Sequence, residues 1–536
     1  MAAVMALAWF GTLGWRPLNR ADEARYAEIA REMLASGDWV TPHLNGFKYF
    51  EKPPLQYWAT AGAFEVFGLH DWVSRLWPAL TGFAGLILVL VLGARLLGAR
   101  AGAYAAAVLA GSPLYALLGQ FDTLDMGVSF FLALAVFAYA LGQCEQAPPA
   151  ERRRWMFAFW AACALATLSK GLIGIVLPAG AIGLDILLRR DWHRIGRLGW
   201  GAGLPLFLLL AVPWFALVSV RNPEFFHFFF IQEHFERFLT RFAHRYEPPW
   251  YFIAVLALGM ATWLLALGPA LVRAFWNGAG RSFSPARFLA LWALVVLVFF
   301  SASDSKLPSY ILPIFPALAL LIGDYLAAAR PRRLLVAQAA LVAAGAAGLL
   351  ALAPRLMLDE GGPLAALLPA YVPWVMAAAA VAALGALLAL ALAWRARTGA
   401  AVGALAVAAF AGTLVALLGH RALAPYYSTA KVIAQARAQL DPGAPFYAVE
   451  AYDHTLPWNL RRTVTMVGYK DELAEEISWE PQKFLPDLAS FARAWRADRH
   501  AGALFKTREF ATFRRQYDLP MQIVARDARY TIVRKP

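Results

Sequence analysis

The sequence predicts a polytopic α-helical membrane protein that ends in a small α/β domain. Of its 536 residues, 60% are hydrophobic and only 16% are charged, and the mean hydropathy is +0.53. Apolar runs of about 15–22 residues recur, close to the length at which a helix crosses a bilayer. These runs are rich in Ala and Leu and do not alternate with polar residues, so they indicate a helical bundle rather than a barrel.

Hydropathy places about thirteen spans in the first part of the chain. We predict them at 2–15, 76–97, 101–119, 126–143, 155–169, 171–188, 199–219, 251–272, 288–303, 310–328, 334–352, 372–394 and 400–419. The first span is short, and we expect it to act as a signal-anchor.

The loop charges predict the orientation of these spans. Alternate loops are rich in arginine, namely 95–100, 152–154, 189–197, 273–287, 330–333 and 395–397. Because basic loops stay in the cytoplasm, the other loops are predicted to face the periplasm of a bacterial inner membrane. Topology then explains the net charge of +14, and no binding of nucleic acid is expected.

Two domains follow from this layout. Residues 1–420 form the predicted transmembrane domain, in which periplasmic loops 16–75 and 220–250 roof an active site. Residues 421–536 form a predicted periplasmic soluble α/β domain. Its strands are expected in PFYAVEAY, TVTMVGY, GALFKT, MQIVARD and YTIVRK, and its helices at Phe484–Arg496 and Arg508–Tyr517.

The first predicted periplasmic loop contains an amphipathic helix at 21–34. At about 100° per residue, Asp22, Tyr26, Ile29 and Met33 share one face, and Arg25, Glu28, Arg31 and Glu32 take the other. A carboxylate on the inward face needs a partner, so Asp22 is a candidate for function. Glu23 is interpreted as an acid that only favours the helix dipole.

The segment Glu51-Lys52-Pro53-Pro54 closes the same loop. One interpretation is a surface ion pair of little consequence before a helix start. The other has Lys52 holding a phosphate at the membrane surface, flanked by Tyr49 and Tyr57. Both remain open from the sequence.

Two acids mark the start of the fourth predicted span. Asp122 and Asp125 are three residues apart and therefore share a helical face. They are either solvated helix ends or, at the level of Asp22, part of a site. Snorkelling of its long side chain is an adequate explanation of Lys170.

Two further segments carry polar residues among aromatic ones. In residues 225–252 the guanidinium of Arg237 suits a phosphate, although an interfacial amphipathic helix gives the same pattern. Glu51 with His234 could hold a divalent cation, but two ligands are too few to establish a site. In the polar break 303–310, Lys306 and Tyr310 could close the phosphate pocket.

The motifs DEARYAEIAREML, FKYFEKPPLQYW, FDTLDM, IQEHFERF and SKLPSYILP occur in that order. Together they resemble the polyprenyl-phosphate-sugar glycosyltransferases of the GT-C superfamily. Within it, the chain is most similar to the lipid A aminoarabinose transferase (ArnT) family, which is related to protein O-mannosyltransferases. The resemblance extends over nearly the whole chain, including the α/β tail.

The resemblance implies a donor, 4-amino-4-deoxy-L-arabinose on undecaprenyl phosphate, and a lipid A phosphate as acceptor, a modification that confers resistance to polymyxin. It implies Asp22 and Asp125 as the catalytic acids and Lys52, Arg237 and Tyr310 as the donor-phosphate site. Secondary candidates are Tyr26, Tyr49, Asp122 and Lys306, and the metal candidates are Glu51 and His234. No cofactor is expected to be required, although a divalent Zn, Mg or Mn ion is possible. A monomer and an inverting reaction are expected.

The role of Asp22 depends on the acceptor. A phosphate acceptor is ionised and needs no base, so Asp22 would orient it or bind the amine of the donor. With a hydroxyl acceptor, Asp22 becomes a candidate general base.

Two alternative functions remain. Another GT-C enzyme would move a different sugar, such as mannose, to protein or glycan. A lipid flippase or transporter is less favoured, because charged residues are scarce at the centres of the spans, where transporters place coupling sites.

Overall fold

The structure is a computed structural model that describes residues 2–236, 246–276, 283–356 and 364–536. In these ranges, eight helical stretches are long and apolar enough to cross a membrane: Leu76–Leu97, Leu124–Gln143, Trp200–Arg221, Pro285–Ala302, Pro308–Ala329, Arg332–Arg355, Leu368–Trp394 and Thr398–Tyr427. A ninth arises if Tyr251–Gly259 and Ala261–Trp276, which meet at 75°, form one broken span. The multi-pass helical fold is confirmed, but the number thirteen is not.

Other helices complete the bundle. They are Ala2–Gly11, Ala99–Ala110, Pro113–Leu118, Pro149–Lys170, Ile173–Arg189 and His193–Gly196. Gly171, with φ of +80°, ends the helix Pro149–Lys170 in a conformation that L-residues rarely adopt. The fifth and sixth predicted spans are therefore two separate helices.

The loops at one end of the bundle have their own structure. The first loop forms the helix Asp22–Ser36, which we call the first-loop helix, followed by a hairpin of β1 (His43–Leu44) and β2 (Phe47–Lys48) and by helices Leu55–Phe67 and Asp71–Ser74. The second loop forms Glu224–Phe226 and a π-helix, His227–Glu236.

The C-terminal domain is built on a six-stranded sheet. Its strands are β3 (Phe446–Val449), β4 (Thr465–Val467), β5 (Phe484–Leu485), β6 (Gly502–Lys506), β7 (Gln522–Arg526) and β8 (Tyr530–Arg534), in the order β5-β4-β3-β6-β8-β7. Strands β3 to β6 are parallel, and β8 runs antiparallel to β6 and β7. The α/β class of this domain is confirmed.

The helices of the domain connect and cover these strands. They are Ala430–Ala436, Thr455–Leu460, Ala474–Trp479, Leu488–Ala497 and Thr507–Gln516. The prediction that a helix begins at Phe484 is wrong, because Phe484–Leu485 pairs with β4. The helix begins only after Asp487, whose side chain accepts a hydrogen bond from the backbone N–H of Ser490.

The C-terminal domain rests on the first loop. The side-chain amide of Asn45 donates to the carbonyl of Val464 at 2.9 Å and accepts from its N–H at 2.7 Å. Trp458 packs in one apolar cluster with Ile29 and Met33 of the first-loop helix. The domain also contacts the opposite face, where Arg25 is paired with Glu472. The polar face of this helix is therefore buried, and the expectation that it faces outward is wrong. The buried polar residues are Arg25, Glu28, Arg31 and Glu32.

Candidate active site

Lys52 and the first-loop helix, both singled out in the sequence, lie where the first loop, the second loop and the C-terminal domain meet. We call this region the site end. Lys52 of the first loop is paired with Glu233 of the second loop, with Nζ and Oε2 2.8 Å apart. Arg25 of the first-loop helix is paired with Glu472 of the C-terminal domain at 2.6 Å. Three segments that are distant in sequence thus contribute to one polar region.

Glu23 is buried at the first turn of the first-loop helix, with 2% of its side chain exposed. Arg16 donates to its carboxylate at 2.5 Å and Arg75 at 2.7 Å. The backbone N–H groups of Asn19 and Asp122 donate to it at 3.0 and 3.1 Å. Burial alone would raise the pKa of Glu23, but Arg16 and Arg75 hold it well below the usual range. The interpretation of Glu23 as a mere helix-end acid is wrong.

Asp22 lies at the rim of the same helix. Its side chain is 46% exposed and pairs with Arg25 at 3.1 Å. Tyr26 on the predicted inward face is buried, but the prediction that Asp22 itself points inward is wrong. A half-exposed carboxylate can be reached by a substrate, and the catalytic role of Asp22 stays a prediction.

Asp122 is enclosed in the wall of the site. Its Oδ1 accepts a hydrogen bond from the Gln56 amide at 2.6 Å, and its Oδ2 has no partner among the described residues. Burial, and then the charge of Glu23, raise the pKa of Asp122 well above its usual range. These surroundings therefore favour the neutral form of the Asp122 carboxyl.

Asp125 belongs to a separate cluster. It lies in the first turn of helix Leu124–Gln143 and forms an ion pair with Lys170. The ammonium of Lys170 is 4.6 Å from the ring centroid of Tyr310, which packs against Phe300. Snorkelling is therefore the wrong description of Lys170, because the residue joins the predicted acid to a predicted donor-phosphate residue.

Lys52 is held by acceptors on both loops. Its ammonium donates to the Glu51 carbonyl oxygen at 2.7 Å as well as to Glu233. Arg237 and the side chain of His234 lie outside the described residues, so their predicted roles remain predictions. In the described part of the chain, no group of three His, Cys, Asp or Glu residues could hold a metal ion.

Lys306 is buried within the polar break between two spans. Its ammonium donates to the carbonyl oxygen of Ser303 at 2.5 Å and lies 5.7 Å from the ring centroid of Tyr246. An outward reach to a phosphate would require Lys306 to leave this carbonyl.

Three buried tyrosines, Tyr26, Tyr49 and Tyr57, lie close to these charged groups. The rings of Tyr26 and Tyr57 are 6.1 Å apart. The hydroxyls of Tyr49 and Tyr57 are buried and have no hydrogen-bond partner among the described residues. Burial raises the pKa of both well above the usual range. They are neutral hydroxyls and can still donate to a ligand.

The C-terminal domain adds acids that sequence reasoning missed. Glu472 pairs with Arg25 and also with His454. Glu476 is 1% exposed, and neither of its carboxylate oxygens is paired with another described side chain. Burial, and then the charge of Glu51, raise the pKa of Glu476 to about 9. The only sequence signal for these acids was the acidic run around them, and that pattern is typical of a solvated helix.

Comparisons with known proteins agree with this architecture. Residues 2–229 match the family described as dolichyl-phosphate-mannose-protein mannosyltransferase, and residues 432–535 match the aminoarabinose transferase C-terminal domain. The crystal structure of ArnT from Cupriavidus metallidurans bound to undecaprenyl phosphate superposes with a TM-score of 0.93 and 38% identity, covering 100% of this chain and 97% of that one. The chain belongs to the ArnT family. The crystal structure of the Cupriavidus metallidurans protein in the apo state superposes with a TM-score of 0.92.

Curated ArnT relatives are similar over part of their length. An undecaprenyl phosphate-α-4-amino-4-deoxy-L-arabinose arabinosyl transferase from Edwardsiella ictaluri is 33% identical over 61% of this chain. One from Sodalis glossinidius is 36% identical over 61% of this chain. In both cases the match spans 58% of the relative's own length. The predicted resemblance to the ArnT family is confirmed.

Proposed function

We propose that the chain transfers 4-amino-4-deoxy-L-arabinose from undecaprenyl phosphate to a lipid A phosphate. The observation that carries this proposal is the agreement of the whole chain, including the C-terminal domain, with the ArnT structure bound to undecaprenyl phosphate. The arginine-rich loops support a bacterial inner membrane, with the site end facing the periplasm. We further propose that the enzyme is a monomer.

The proposed reaction is a single displacement. An acceptor oxygen attacks the anomeric carbon of the sugar while the bond from that carbon to the undecaprenyl phosphate oxygen breaks, which inverts the configuration. The departing phosphate gains negative charge, and we propose that Lys52 and Arg237 stabilise this charge. The ion pair of Asp125 with Lys170, beside Tyr310, is proposed to complete the donor site.

Asp22 is proposed to act on the acceptor. Its half-exposed carboxylate is available at the rim, whereas Glu23 is fully engaged with Arg16 and Arg75. Because an ionised phosphate needs no base, we propose that Asp22 orients the acceptor or the amine of the donor. With a hydroxyl acceptor it would instead remove a proton.

No divalent cation is proposed as a requirement, because Lys52 and Arg237 can supply the positive charge at the leaving group. Glu51 and His234 are the candidate ligands for Zn, Mg or Mn. We expect transfer by the purified enzyme to be unchanged in EDTA. A loss that only one of these metals restores would instead assign a metal to this pair.

Glu476 distinguishes a cationic sugar from a neutral one. A buried carboxylate without a paired side chain is costly, and a cation beside it would favour its ionised form. The 4-amino group of aminoarabinose is such a cation, whereas mannose has none. The match of residues 2–229 to the mannosyltransferase family favours, as a second candidate, transfer of a neutral sugar to protein.

Glu476→Gln is therefore expected to raise the KM for the aminoarabinose donor about tenfold, as one charge-assisted hydrogen bond is lost. Steady-state transfer with the purified enzyme measures this change. Glu475→Gln, one residue away and exposed, is the matched control and should leave KM unchanged. Equal values for the two variants would contradict the role of Glu476.

The proposed function as a whole is tested in a strain that lacks its own transferase but makes the lipid-linked aminoarabinose. Wild type should add aminoarabinose to lipid A, as measured by mass spectrometry, and Asp22→Asn should not. If well-expressed wild type adds no sugar to lipid A, the proposed function is wrong. Sugar found on periplasmic proteins instead would favour the second candidate.

A further inference from the structure

Two arginines at the site end are stacked on aromatic rings and have no counter-ion in the described part of the chain. The guanidinium carbon of Arg20 lies 4.9 Å from the ring centroid of Tyr426. That of Arg421 lies 5.6 Å from the ring centroid of Trp15. Stacking fixes the plane of a guanidinium while leaving its N–H donors available.

The other arginines near these two are neutralised. Arg16 and Arg75 share Glu23, and Arg25 is paired with Glu472. Each of these buried arginines is thus paired with a carboxylate. Arg20 and Arg421 are both exposed, and here the fold supplies aromatic rings instead of acids.

A backbone hydrogen bond and a ring contact connect the segments that carry the two arginines. The backbone N–H of Arg20 donates to the carbonyl of Tyr427 at 2.8 Å, and the Tyr427 ring stacks on His420 with centroids 5.1 Å apart. His420 directly precedes Arg421. We call Arg20, His420 and Arg421 the arginine patch. Asp22 follows Arg20 by two residues, so the patch borders the predicted catalytic acid.

The patch also lies where a lipid headgroup would be. His420 and Arg421 lie near the end of the last spanning stretch, Thr398–Tyr427, just after its regular α-helix Thr398–Gly419, and the first helix, Ala2–Gly11, ends four residues before Trp15. Trp15 is 47% exposed, as expected for an aromatic residue at the membrane interface. A guanidinium exposed at this level is suited to bind the phosphate of a lipid headgroup.

We propose that Arg20 and Arg421, with His420, bind a phosphate group of the acceptor lipid and hold it beside Asp22. The guanidinium fork matches phosphate oxygens, and charge-assisted pairs of this kind are strong and directional. The patch is separate from the donor-phosphate cation Lys52, whose contacts are Glu51 and Glu233. This inference rests on the proposed function for the identity of the acceptor.

Direct lipid binding tests the patch without requiring transfer. Native mass spectrometry of the detergent-solubilised full chain gives apparent Kd values for bis-phosphorylated lipid A, for the same lipid A after phosphatase treatment, and for phosphatidylglycerol. Wild type should prefer phosphorylated lipid A. The double variant Arg20→Gln/Arg421→Gln should bind it about 10- to 100-fold more weakly, with the dephosphorylated form unaffected.

Arg461→Gln is the matched control. Arg461 is exposed at the same end and stacks on Trp458 at 3.9 Å, but it donates to the carbonyl of Leu69 at 2.9 Å and lies outside the patch. It should bind as wild type does. If the double variant is unstable, Arg20→Gln and Arg421→Gln alone should each weaken binding about tenfold.

Three outcomes would overturn the proposal: unchanged lipid A affinity in the patch variants, the same loss in Arg461→Gln, or equal binding of phosphatidylglycerol, which would make the patch a site for bulk lipid. Failure of the proposed function is seen separately. In that case wild type would transfer no sugar to lipid A, while the preference for the phosphorylated lipid and its loss in the variants would remain.

Discussion

Lys52→Met is expected to lower kcat by about 10²–10³-fold, the usual loss when one preorganised donor to a developing negative charge is removed. The Glu51 carbonyl and Glu233 take two of the three N–H donors of the Lys52 ammonium, which leaves the third for a phosphate oxygen. Methionine keeps the length and apolar stem of lysine and removes only the charge. Steady-state transfer from undecaprenyl-linked sugar to lipid A measures kcat and the donor KM.

Lys48→Met provides a closely matched control. Lys48 lies in the same loop, and its ammonium is paired with Glu224 of the second loop at 2.7 Å, just as Lys52 is paired with Glu233 at 2.8 Å. Both substitutions therefore break one ion pair between the two loops. Only Lys52→Met should affect kcat strongly. A similar loss in both variants would mean that Lys52 matters through loop pairing and not through the donor phosphate.

The helical bundle could be predicted because its signals are local. A span is recognised from its own apolar residues, and breaks such as Gly171 lie within the segment that they interrupt. The strands of the C-terminal domain were found for the same reason, since each carries its own run of β-branched and aromatic residues. The short strand at Phe484–Leu485 was missed because two residues form too short a run to be recognised.

Burial in the first-loop helix could not be predicted, because the partners come from distant segments. The helical period divides this helix into an apolar and a polar face. It cannot show that a domain more than 400 residues further along the chain covers the polar face. Glu23 pairs with Arg75, 52 residues further along the chain. Glu472 and Glu476 lie in an acidic stretch that, without its tertiary surroundings, has the pattern of a solvated helix.

The predicted site residues that the structure describes do lie at one end of the bundle, but their hydrogen-bond and ion-pair partners differ from those expected. Asp125 pairs with Lys170, whereas Asp122 is enclosed and hydrogen-bonded to Gln56. Spacing of three residues placed the two acids on one face. Asp122 precedes the helix Leu124–Gln143, whereas Asp125 lies in its first turn. The two acids therefore do not share a helical face.

Glu23→Gln is expected to destabilise the folded protein by about 3–5 kcal/mol, the cost of leaving a buried charge without its partner. Glutamine preserves the volume but removes the negative charge that Arg16 and Arg75 share. The backbone N–H donors of Asn19 and Asp122 also lose a strong acceptor. Thermal unfolding in detergent measures the change, and we expect activity to fall with it because Asp22 is the neighbouring residue.

Glu28→Gln is the control for the loss of a buried carboxylate. Glu28 is equally buried and pairs with a single arginine, Arg31, at 2.6 Å. Glu28→Gln breaks one ion pair where Glu23→Gln breaks two, so it should destabilise the folded protein less than Glu23→Gln does. If both variants lowered the unfolding temperature equally, the paired arginines around Glu23 would not explain its effect.

The pH dependence separates the two carboxylates further. The pKa of Glu23 is depressed in the folded state, so its stabilisation is present above the usual carboxyl pKa and is lost as the pH falls towards the folded value. The pKa of Glu28 is raised, so its contribution is favourable at low pH and declines as the pH rises. Acidification should therefore narrow the stability gap between wild type and Glu23→Gln and widen the stability gap between wild type and Glu28→Gln. A gap for Glu23→Gln that is independent of pH down to the acid limit of the folded protein would contradict a charge-based role.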